Sequence, residues 1–399
     1  MDILMGVLRG RDSVPCMGRL RFYRAVSSEL YRRIWIAQEK VVHRNFISLG
    51  LSKPRRMQRI CKRNASPGDV FFIGSCADRG RRICLYRRMA GRILLWMRFF
   101  HFPSLLPSKH FQKGSLVMKV IHSIKELKEY VHQCKREGKS IGLVTTMGAL
   151  HEGHASLIQA ARKENDFVIT SVFVNPTQFG PNEDYEAYPR TLEADAKVAE
   201  AAGADLLFAP SPAEMYPHKD MTWVEVTGPI TKVLCGRTRP IHFRGVATVC
   251  TKFFNLTECD RAYYGLKDAQ QTQVLQRMVE DLFMNVELRL MPIVREADGL
   301  AKSSRNVYLS KEERTAALVL SRSLKHAKEA FEAGERSKAK LIDQVTKEIE
   351  AEPMSDIDYV EMYGMPGLPE VGETIEGQVL LALAVRFGKT RLIDNVILG

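Results

Sequence analysis

From residue 118 to about residue 294, short apolar segments alternate with longer segments in which apolar positions recur every three or four residues. The short segments predict buried strands, and the longer ones predict amphipathic helices. We expect strands at 141–147, 167–175, 204–210, 261–265 and 285–294, and helices at 123–138, 154–165, 191–203, 245–257 and 267–283. Because this alternation is typical of a parallel sheet with helices on both faces, it predicts an α/β, Rossmann-like domain over residues 118–293. Such sheets bind ligands at the carboxyl ends of their strands.

After residue 293 the pattern changes. We expect one long helix over residues 308–331, with Ser310 and Glu313 placed as a capping box at its start. A second helix (336–352) and three short strands (357–363, 378–386 and 390–398) follow. This order predicts a smaller α+β domain over residues 294–399.

Charge divides the chain at residue 117. Residues 1–117 hold 24 Lys and Arg against 6 Asp and Glu, whereas residues 118–399 hold 35 against 40. Three interpretations compete for this basic extension: an organelle transit peptide, a nucleic-acid-binding arm, or a segment outside the native product. We favour the third, with Met118 as the native start, because regular patterning begins there. We expect the extension to be poorly ordered.

Composition excludes several classes of protein. No uncharged apolar stretch approaches the roughly 20 residues of a membrane helix, so we expect no membrane partner. The eight cysteines form no CxxC pair, which favours free thiols and a cytoplasmic location. The segment "FGKT" (387–390) resembles the end of a nucleotide-binding loop, but Leu383 occupies the position of the required upstream glycine.

The segment "TMGALHEGHASL" (146–157) sets two histidines at a junction between a strand and a helix. His151 and His154 are three residues apart and therefore share a face of the helix start, where free N–H groups attract anions. Gly153 between them would let a ligand approach the backbone. The arrangement suits phosphate groups. A metal pair or two surface histidines are the alternatives, and metal is disfavoured because no third ligand follows at a familiar spacing.

Four more polar clusters fall at predicted strand ends or where the two domains meet. They are "FVNPTQF" (173–179), "HFRG" (242–245), "YYGLKDAQQTQ" (263–273) and "GLAKSSRN" (299–306). Lysine can neutralise phosphate, and a glutamine amide both donates and accepts hydrogen bonds. Each cluster alone is compatible with an ordinary polar loop. Together they favour one nucleotide pocket.

Residues 118–399 resemble the pantothenate synthetase (pantoate–β-alanine ligase) family over its full length. The resemblance rests on "TMGALHEGH", "FVNPTQFGPNEDYEAYPRT", "HFRGVATV", "YYGLKDAQQ", "DGLAKSSRNVYL" and "TRLIDN", in this order. It implies a nucleotidylyltransferase-like Rossmann domain with a C-terminal lid. It also implies a reaction in which pantoate and ATP form pantoyl adenylate and pyrophosphate, and β-alanine then displaces AMP. Mg²⁺ and a homodimer are further implications, and no nucleic-acid partner is expected.

The resemblance also implies roles for individual residues. His154 would be the proton donor, His151 its partner on the phosphates, and Lys267 a further catalytic group. Gln178 would bind pantoate and β-alanine, and Gln271 would bind pantoate. The ATP site would comprise Met147, Gly148, Ala149, Leu150, His151, Glu152, Gly153, His154, Gly265, Leu266, Lys267, Asp268 (through ribose), Val294, Lys302, Ser303, Ser304 and Arg305. Asp195 is a candidate Mg²⁺ ligand.

One residue departs from the family pattern. The family has proline directly before the Thr-Met-Gly of the first motif, and this chain has Thr145 there. Because proline fixes φ and lacks an N–H, threonine predicts a looser turn beside the adenylate without loss of activity.

Two other functions compete with the ligase. The first is another HxGH nucleotidylyltransferase or adenylate-forming ligase that acts on a different small acid. The second is a nucleic-acid-binding protein that uses the basic residues 1–117. Gln178 and Gln271 argue against the first alternative, and the acidic balance of residues 118–399 argues against the second.

Overall fold

The computed structural model describes residues 118–399 except residue 182, and the backbone of three strands further upstream. These strands, β1 (Val70–Ser75), β2 (Ile83–Met89) and β3 (Arg92–Leu94), pair antiparallel in that order. The sequence did not predict them, because arginine runs interrupt its apolar clusters. The expected poor order and the proposed origin of the rest of the extension lie outside the described residues. The described residues from 118 onward belong to one compact unit.

A six-stranded sheet forms the centre of this unit. Its strands are β4 (Lys119–Ile121), β5 (Ile141–Thr146), β6 (Phe167–Val172), β7 (Leu206–Phe208), β8 (Arg261–Gly265) and β9 (Glu287–Met291). They lie in the order β4-β7-β6-β5-β8-β9, and every pair is parallel. Adjacent residues of one strand enter different cores, as Leu143 and Val144 do. The sheet is therefore buried on both faces, and the predicted Rossmann-like fold is confirmed.

Seven helices connect these strands among the described residues. They are α1 (Ile124–Glu137), α2 (Glu152–Glu164), α3 (Leu192–Ala202), α4 (Pro212–Met215), α5 (Cys235–Thr238), α6 (His242–Thr257) and α7 (Ala269–Asp281). Helix α1 ends at Gly138, which adopts the left-handed conformation (φ 70°) and donates its N–H to the carbonyls of Cys134 and Lys135. The short helices α4 and α5 were not predicted, because four residues show too little periodicity.

A smaller antiparallel sheet follows. Helices α8 (Lys311–Ala316), α9 (Leu318–Glu332) and α10 (Lys338–Glu350) precede strands β10 (Ser355–Gly364), β11 (Val379–Phe387) and β12 (Thr390–Leu398). The capping box of Ser310 and Glu313 is confirmed, but the single long helix was wrong, because it divides at Ala317. Ala316, Ala317 and Leu320, which lie on both sides of the division, all enter one core. The boundary at residue 294 stays a prediction.

The strand order changes direction between β5 and β8: strands β6 and β7 lie on one side of β5, and β8 and β9 lie on the other. Residue pairing between these two strands is limited to Gly142 with Arg261 and Leu143 with Ala262, although both strands continue for three more residues. The carboxyl ends of β5 and β8 therefore separate and open a crevice, which is where parallel sheets bind ligands. Thr145 lies inside β5, opposite Ser171 of β6, and not in the turn that follows. Among the described residues, no helix has the length and apolarity needed to cross a membrane.

Candidate active site

The two histidines of the first motif cap helix α2. His151 Nδ1 accepts a hydrogen bond from the N–H of Gly153 at 3.1 Å, and His154 Nδ1 accepts from the N–H of His151 at 3.3 Å. The ring centroids are 4.1 Å apart. Because each Nδ1 is an acceptor, a neutral imidazole must carry its proton on Nε2. Both rings therefore offer an N–H on their remaining nitrogen.

Burial keeps both imidazoles neutral. It lowers the pKa of His151 to about 4, with Lys267 adding to the effect, and it lowers the pKa of His154 to about 3, with His151 adding to it. At neutral pH the pair therefore acts as two hydrogen-bond donors without positive charge.

Gly153 serves a purpose that the sequence did not predict. We expected it to let a ligand approach the backbone, but the His151 ring occupies that space. A Cβ on Gly153 would lie 2.8 Å from His151 Cε1 and 2.9 Å from its Nδ1, closer than real Cβ atoms come. Glycine is required here because the imidazole folds back over the helix start.

Asp195 anchors the loop before the histidines. Its Oδ1 accepts from the N–H of Leu150 at 2.7 Å, and its Oδ2 accepts from the N–H of Ala149 at 3.1 Å. The residue is buried, and Thr191 Oγ1 donates to the same carboxylate. These bonds fix a loop in which Ala149 has a φ of 50°. With both oxygens engaged, Asp195 is a loop anchor, and the expectation that it binds Mg²⁺ is not supported by its contacts.

The turn after β8 carries Lys267 and Asp268, whose Nζ and Oδ1 are 3.1 Å apart. The two glutamines that follow have separate roles. Gln270 is buried and bonds to the N–H of Cys235 and to the carbonyls of Ile230 and Val233. Gln271 lies on the cavity wall. Gln270 borders a neighbouring cleft, but its amide groups are engaged in the bonds just given, so Gln271 is the better placed of the two to bind a ligand.

The loop over residues 302–305 joins the first motif through two contacts. Lys302 Nζ lies 2.8 Å from Glu152 Oε2, and Ser304 Oγ donates to the carbonyl of Ala149 at 3.0 Å. Arg305 extends away from these contacts and forms a bidentate pair with Asp184, at 2.9 Å for each bond. Burial alone would raise the pKa of the Asp184 carboxyl, but Arg305 outweighs burial and holds it below its usual value.

The amide of Gln178 is held in one orientation. Its Oε1 accepts from Asn175 Nδ2 at 3.0 Å, and its Nε2 lies 3.2 Å from the sulfur of Met147. Asn175 Oδ1 in turn accepts from Tyr216 Oη at 2.7 Å. Because its oxygen accepts from Asn175, the N–H₂ group is the part of the Gln178 amide that can donate to a ligand in the cavity.

The predicted site residues meet at one cavity of about 230 Å³ at the crevice between β5 and β8. Its wall includes Met147, His151, Gly153, His154, Gln178, Gly265, Lys267, Asp268, Gln271, Val294, Lys302, Ser303, Ser304 and Arg305. A larger cleft of about 660 Å³ adjoins it and shares Lys267, Gln271 and Arg305. The predicted residues Gly148, Ala149, Leu150, Glu152 and Leu266 are not part of this wall; they belong to the two loops that carry it, and the Glu152 side chain is exposed.

The two charged or polar side chains of the segment "HFRG" (242–245) lie in different places. His242 is buried on the cavity wall, where its Nδ1 lies 3.1 Å from the carbonyl of Gln178, and burial lowers its pKa to about 3. Arg244 instead stacks on Trp223, 4.4 Å from the ring centroid. Arg244 therefore takes no part in the cavity.

Three residues at the site had been given no role from the sequence. Asp184 and Asn175 lie in a quoted motif, and Asn395 lies in "TRLIDN". Asn395 Nδ2 donates to the carbonyls of Leu266 and Lys267 at 2.9 and 3.0 Å. The contacts of Asp184 and Asn395 join residues more than 100 positions apart and have no local sequence signal, so only the motif strings could have indicated these two residues.

A parallel sheet whose switch point gathers helix-capping histidines, a lysine and a hydroxyl-rich loop defines a nucleotide-binding α/β protein. The comparisons agree. The family model for Pantoate-beta-alanine ligase matches residues 119–397. The pantothenate synthetase of Acetivibrio thermocellus is 56% identical over 280 residues, covering 70% of this chain and 99% of the relative. That of Bacillus velezensis is 53% identical over 281 residues, covering 70% and 97%.

Solved structures give the same result. The pantothenate synthetase of Thermus thermophilus has a TM-score of 0.66 and 45% identity, covering 70% of this chain and 99% of that one. The Francisella tularensis pantoate-beta-alanine ligase, complexed with beta-gamma ATP and beta-alanine, has a TM-score of 0.59 and 32% identity, covering 70% and 97%. This chain belongs to the pantoate–β-alanine ligase family. It is therefore a ligase that forms a carbon–nitrogen bond.

Proposed function

We propose that this chain joins pantoate to β-alanine at the expense of ATP, giving pantothenate, AMP and pyrophosphate through pantoyl adenylate. One observation carries the proposal. His151, His154, Lys267 and the 302–305 loop face the same cavity as Gln178 and Gln271. The groups that suit phosphate and the two glutamines that suit a small polar acid can therefore contact ATP and pantoate in the same cavity.

In the first step a pantoate carboxylate oxygen attacks the α-phosphorus of ATP, and pyrophosphate leaves. The protein's task is to orient the reactants and stabilise charge on the phosphate oxygens. The Nε2–H groups of His151 and His154 and the ammonium of Lys267 supply this stabilisation. One preorganised donor of this type contributes about 10²–10³ in rate.

In the second step the β-alanine amine attacks the carbonyl carbon of the adenylate, and AMP leaves with the former carboxylate oxygen. The amine must be deprotonated to attack. His151 and His154 do not supply the base, because each Nδ1 accepts a backbone N–H and each Nε2 carries a proton. In this proposal His154 acts as proton donor by hydrogen-bonding the phosphate oxygens of the leaving group, which is pyrophosphate in the first step and AMP in the second.

The two glutamines recognise the acid. The N–H₂ of Gln178, oriented through Asn175, donates to pantoate and lies near the β-alanine position. Gln271 contacts pantoate from helix α7. An amide suits this task because it can donate to a carboxylate and exchange hydrogen bonds with a hydroxyl.

Mg²⁺ belongs to the proposal as a partner of ATP. The described residues contain no group of three His, Cys, Asp or Glu side chains placed to hold a metal ion. Mg²⁺ keeps several waters and binds through substrate phosphates with one or two carboxylates, so in this proposal ATP carries the ion into the site. Asp268, half-exposed on the cavity wall, is the carboxylate that we propose for contact with ribose or with the ion's water shell.

We also propose a homodimer and no nucleic-acid partner. In this proposal a second subunit covers the adjacent apolar residues Leu282 and Phe283, which expose 50 and 89% of their surface. The acidic balance of residues 118–399 disfavours phosphate-backbone binding. Sedimentation tests the dimer. The absence of a nucleic-acid partner is tested by comparing the full chain with residues 118–399. We expect both to have the same kcat/KM at every salt concentration, and this result would also show that a chain starting at Met118 is sufficient for activity.

The decisive experiment uses pantoate labelled with ¹⁸O in its carboxylate. Release of AMP from ATP must require both pantoate and β-alanine, and the AMP must carry one ¹⁸O. Unlabelled AMP would exclude an acyl-adenylate. AMP release without pantoate, or with an unrelated small acid in its place, would move the assignment to another acid.

A further inference from the structure

Three neutral polar side chains meet where β5 and β8 separate. Thr145 lies on β5 and Tyr264 on β8, both beyond the last residue pair between these strands, and Cys250 lies on helix α6. All three line the 230 Å³ cavity. The proposed phosphate contacts and the two glutamine amides do not use them.

Their contacts form a chain of hydrogen-bonding groups. Tyr264 Oη donates to Cys250 Sγ at 3.6 Å, a normal distance for sulfur, and both residues are buried. The Thr145 hydroxyl lies beside both groups. Thr145 is the only one of the three that is partly exposed, so it is the member of the chain that a ligand in the cavity reaches first.

Charge excludes an acid–base role for this cluster. Burial raises the pKa of Cys250 to about 12, and it raises that of Tyr264 well above its usual value. A protonated thiol and a protonated phenol can donate and accept hydrogen bonds, as a hydroxyl ligand requires, and they add no positive charge that would attract a carboxylate or a phosphate. The neighbouring Val246, Val249 and Phe253 lie on the same cavity wall and supply an apolar surface for the hydrocarbon part of a ligand.

We propose that the Thr145 hydroxyl, supported by Cys250 and Tyr264, hydrogen-bonds a hydroxyl group of the acid substrate and thereby selects a hydroxy acid over its deoxy analogue. The proposal rests on the function proposed above. It also gives Thr145 a purpose that proline, which the family has at this position, cannot serve, because proline carries no hydroxyl.

The test compares pantoate with its two deoxy analogues, 4-hydroxy-3,3-dimethylbutanoate and 2-hydroxy-3,3-dimethylbutanoate, in AMP release by the full chain. Thr145→Val keeps the branched shape and removes the hydroxyl. We expect it to lower the preference for pantoate over one of the two analogues about tenfold, the effect of one lost hydrogen bond. Tyr264→Phe should lower the same preference by a smaller factor.

Cys259→Ala is the matched control, because this buried thiol lies outside the cavity. It should leave the preference unchanged. The proposal is overturned if Thr145→Val changes kcat/KM for pantoate and both analogues by one common factor, or changes none. Failure of the underlying function is a separate result, since the parent chain would then release no AMP in response to pantoate and β-alanine.

Discussion

The side-chain amide of Asn395 donates to the main-chain carbonyl of Lys267 at 3.0 Å. Strand β12 of the small sheet thus holds the turn that presents the site lysine, and a second bond to the carbonyl of Leu266 doubles the attachment. The order of the site therefore depends on a residue that touches no reactant in our proposal.

Replacing Asn395 with alanine tests this attachment. It leaves two carbonyls without their partner, which costs about 1–3 kcal/mol, and it loosens the turn. We expect a lower free energy of unfolding and a KM for ATP that rises several-fold. Ile397→Val, on the same strand, is the control for stability alone. An Asn395→Ala enzyme with the parent KM for ATP would contradict the prediction.

The adjacent glutamines provide a matched pair. Gln270→Leu removes three buried hydrogen bonds, so it should lower the free energy of unfolding by about 2 kcal/mol or more and leave the KM for pantoate nearly unchanged. Gln271→Leu should do the opposite and raise the KM for pantoate about tenfold. Chemical denaturation and initial rates measure both effects. Equal changes in the two variants would show that the helix does not divide the roles in this way.

Gly153→Ala should displace the His151 ring. The added Cβ would lie within 2.9 Å of two ring atoms, so the imidazole must swing away from the phosphate position. We expect kcat to fall by about 10²-fold, the value of one preorganised donor. Gly372→Ala, where the nearest atom is 4.0 Å from the new Cβ, is the control. Full activity in Gly153→Ala would show that the ring position is unimportant.

Acid should destabilise the fold through the buried histidines. The pKa of His151 is lowered from 6.5 to about 4, and that of His154 to about 3. Below pH 6.5 the histidines of the unfolded chain bind protons, whereas the folded imidazoles do not. The free energy of unfolding therefore decreases as the pH is lowered from 6.5 to the folded pKa values.

The histidine contribution can be isolated with His154→Asn. Between pH 6.5 and 4, the free energy of unfolding of this variant should depend on pH less steeply than that of the parent, by up to about 1.4 kcal/mol per pH unit. Denaturant unfolding at pH 7, 6 and 5 measures the slope, and the interval from pH 7 to 8 serves as the internal reference. An unchanged slope would mean that His154 titrates normally in the folded state.

Asp184 should support catalysis without touching a reactant. Its bidentate pair fixes Arg305 and with it the 302–305 loop. Asp184→Asn removes the charge that holds the guanidinium, and we expect kcat/KM for ATP to fall on the order of tenfold. Asp184→Glu should recover part of the loss. Equal losses in both variants would indicate that the loop needs the shape of aspartate and not its charge.

Local pattern was sufficient for most of the fold. The strands β5, β6 and β8 were predicted from runs of apolar residues, and the end of α1 from Gly138, because these signals act within a few residues. The division at Ala317 was missed, because the apolar pattern continues through it and residues 308–331 contain no glycine or proline to mark it.

The sequence by itself determined the family, the parallel sheet and the residue types of the site, because motif strings and periodicity are local properties. Tertiary structure decided which residues meet a ligand. Gln270 and Gln271 are neighbours in sequence, yet one supports a loop and the other lines the cavity. Asp195 binds backbone N–H groups, and Gly153 makes room for an imidazole. These assignments depend on distances between segments far apart in the chain, which no local pattern contains.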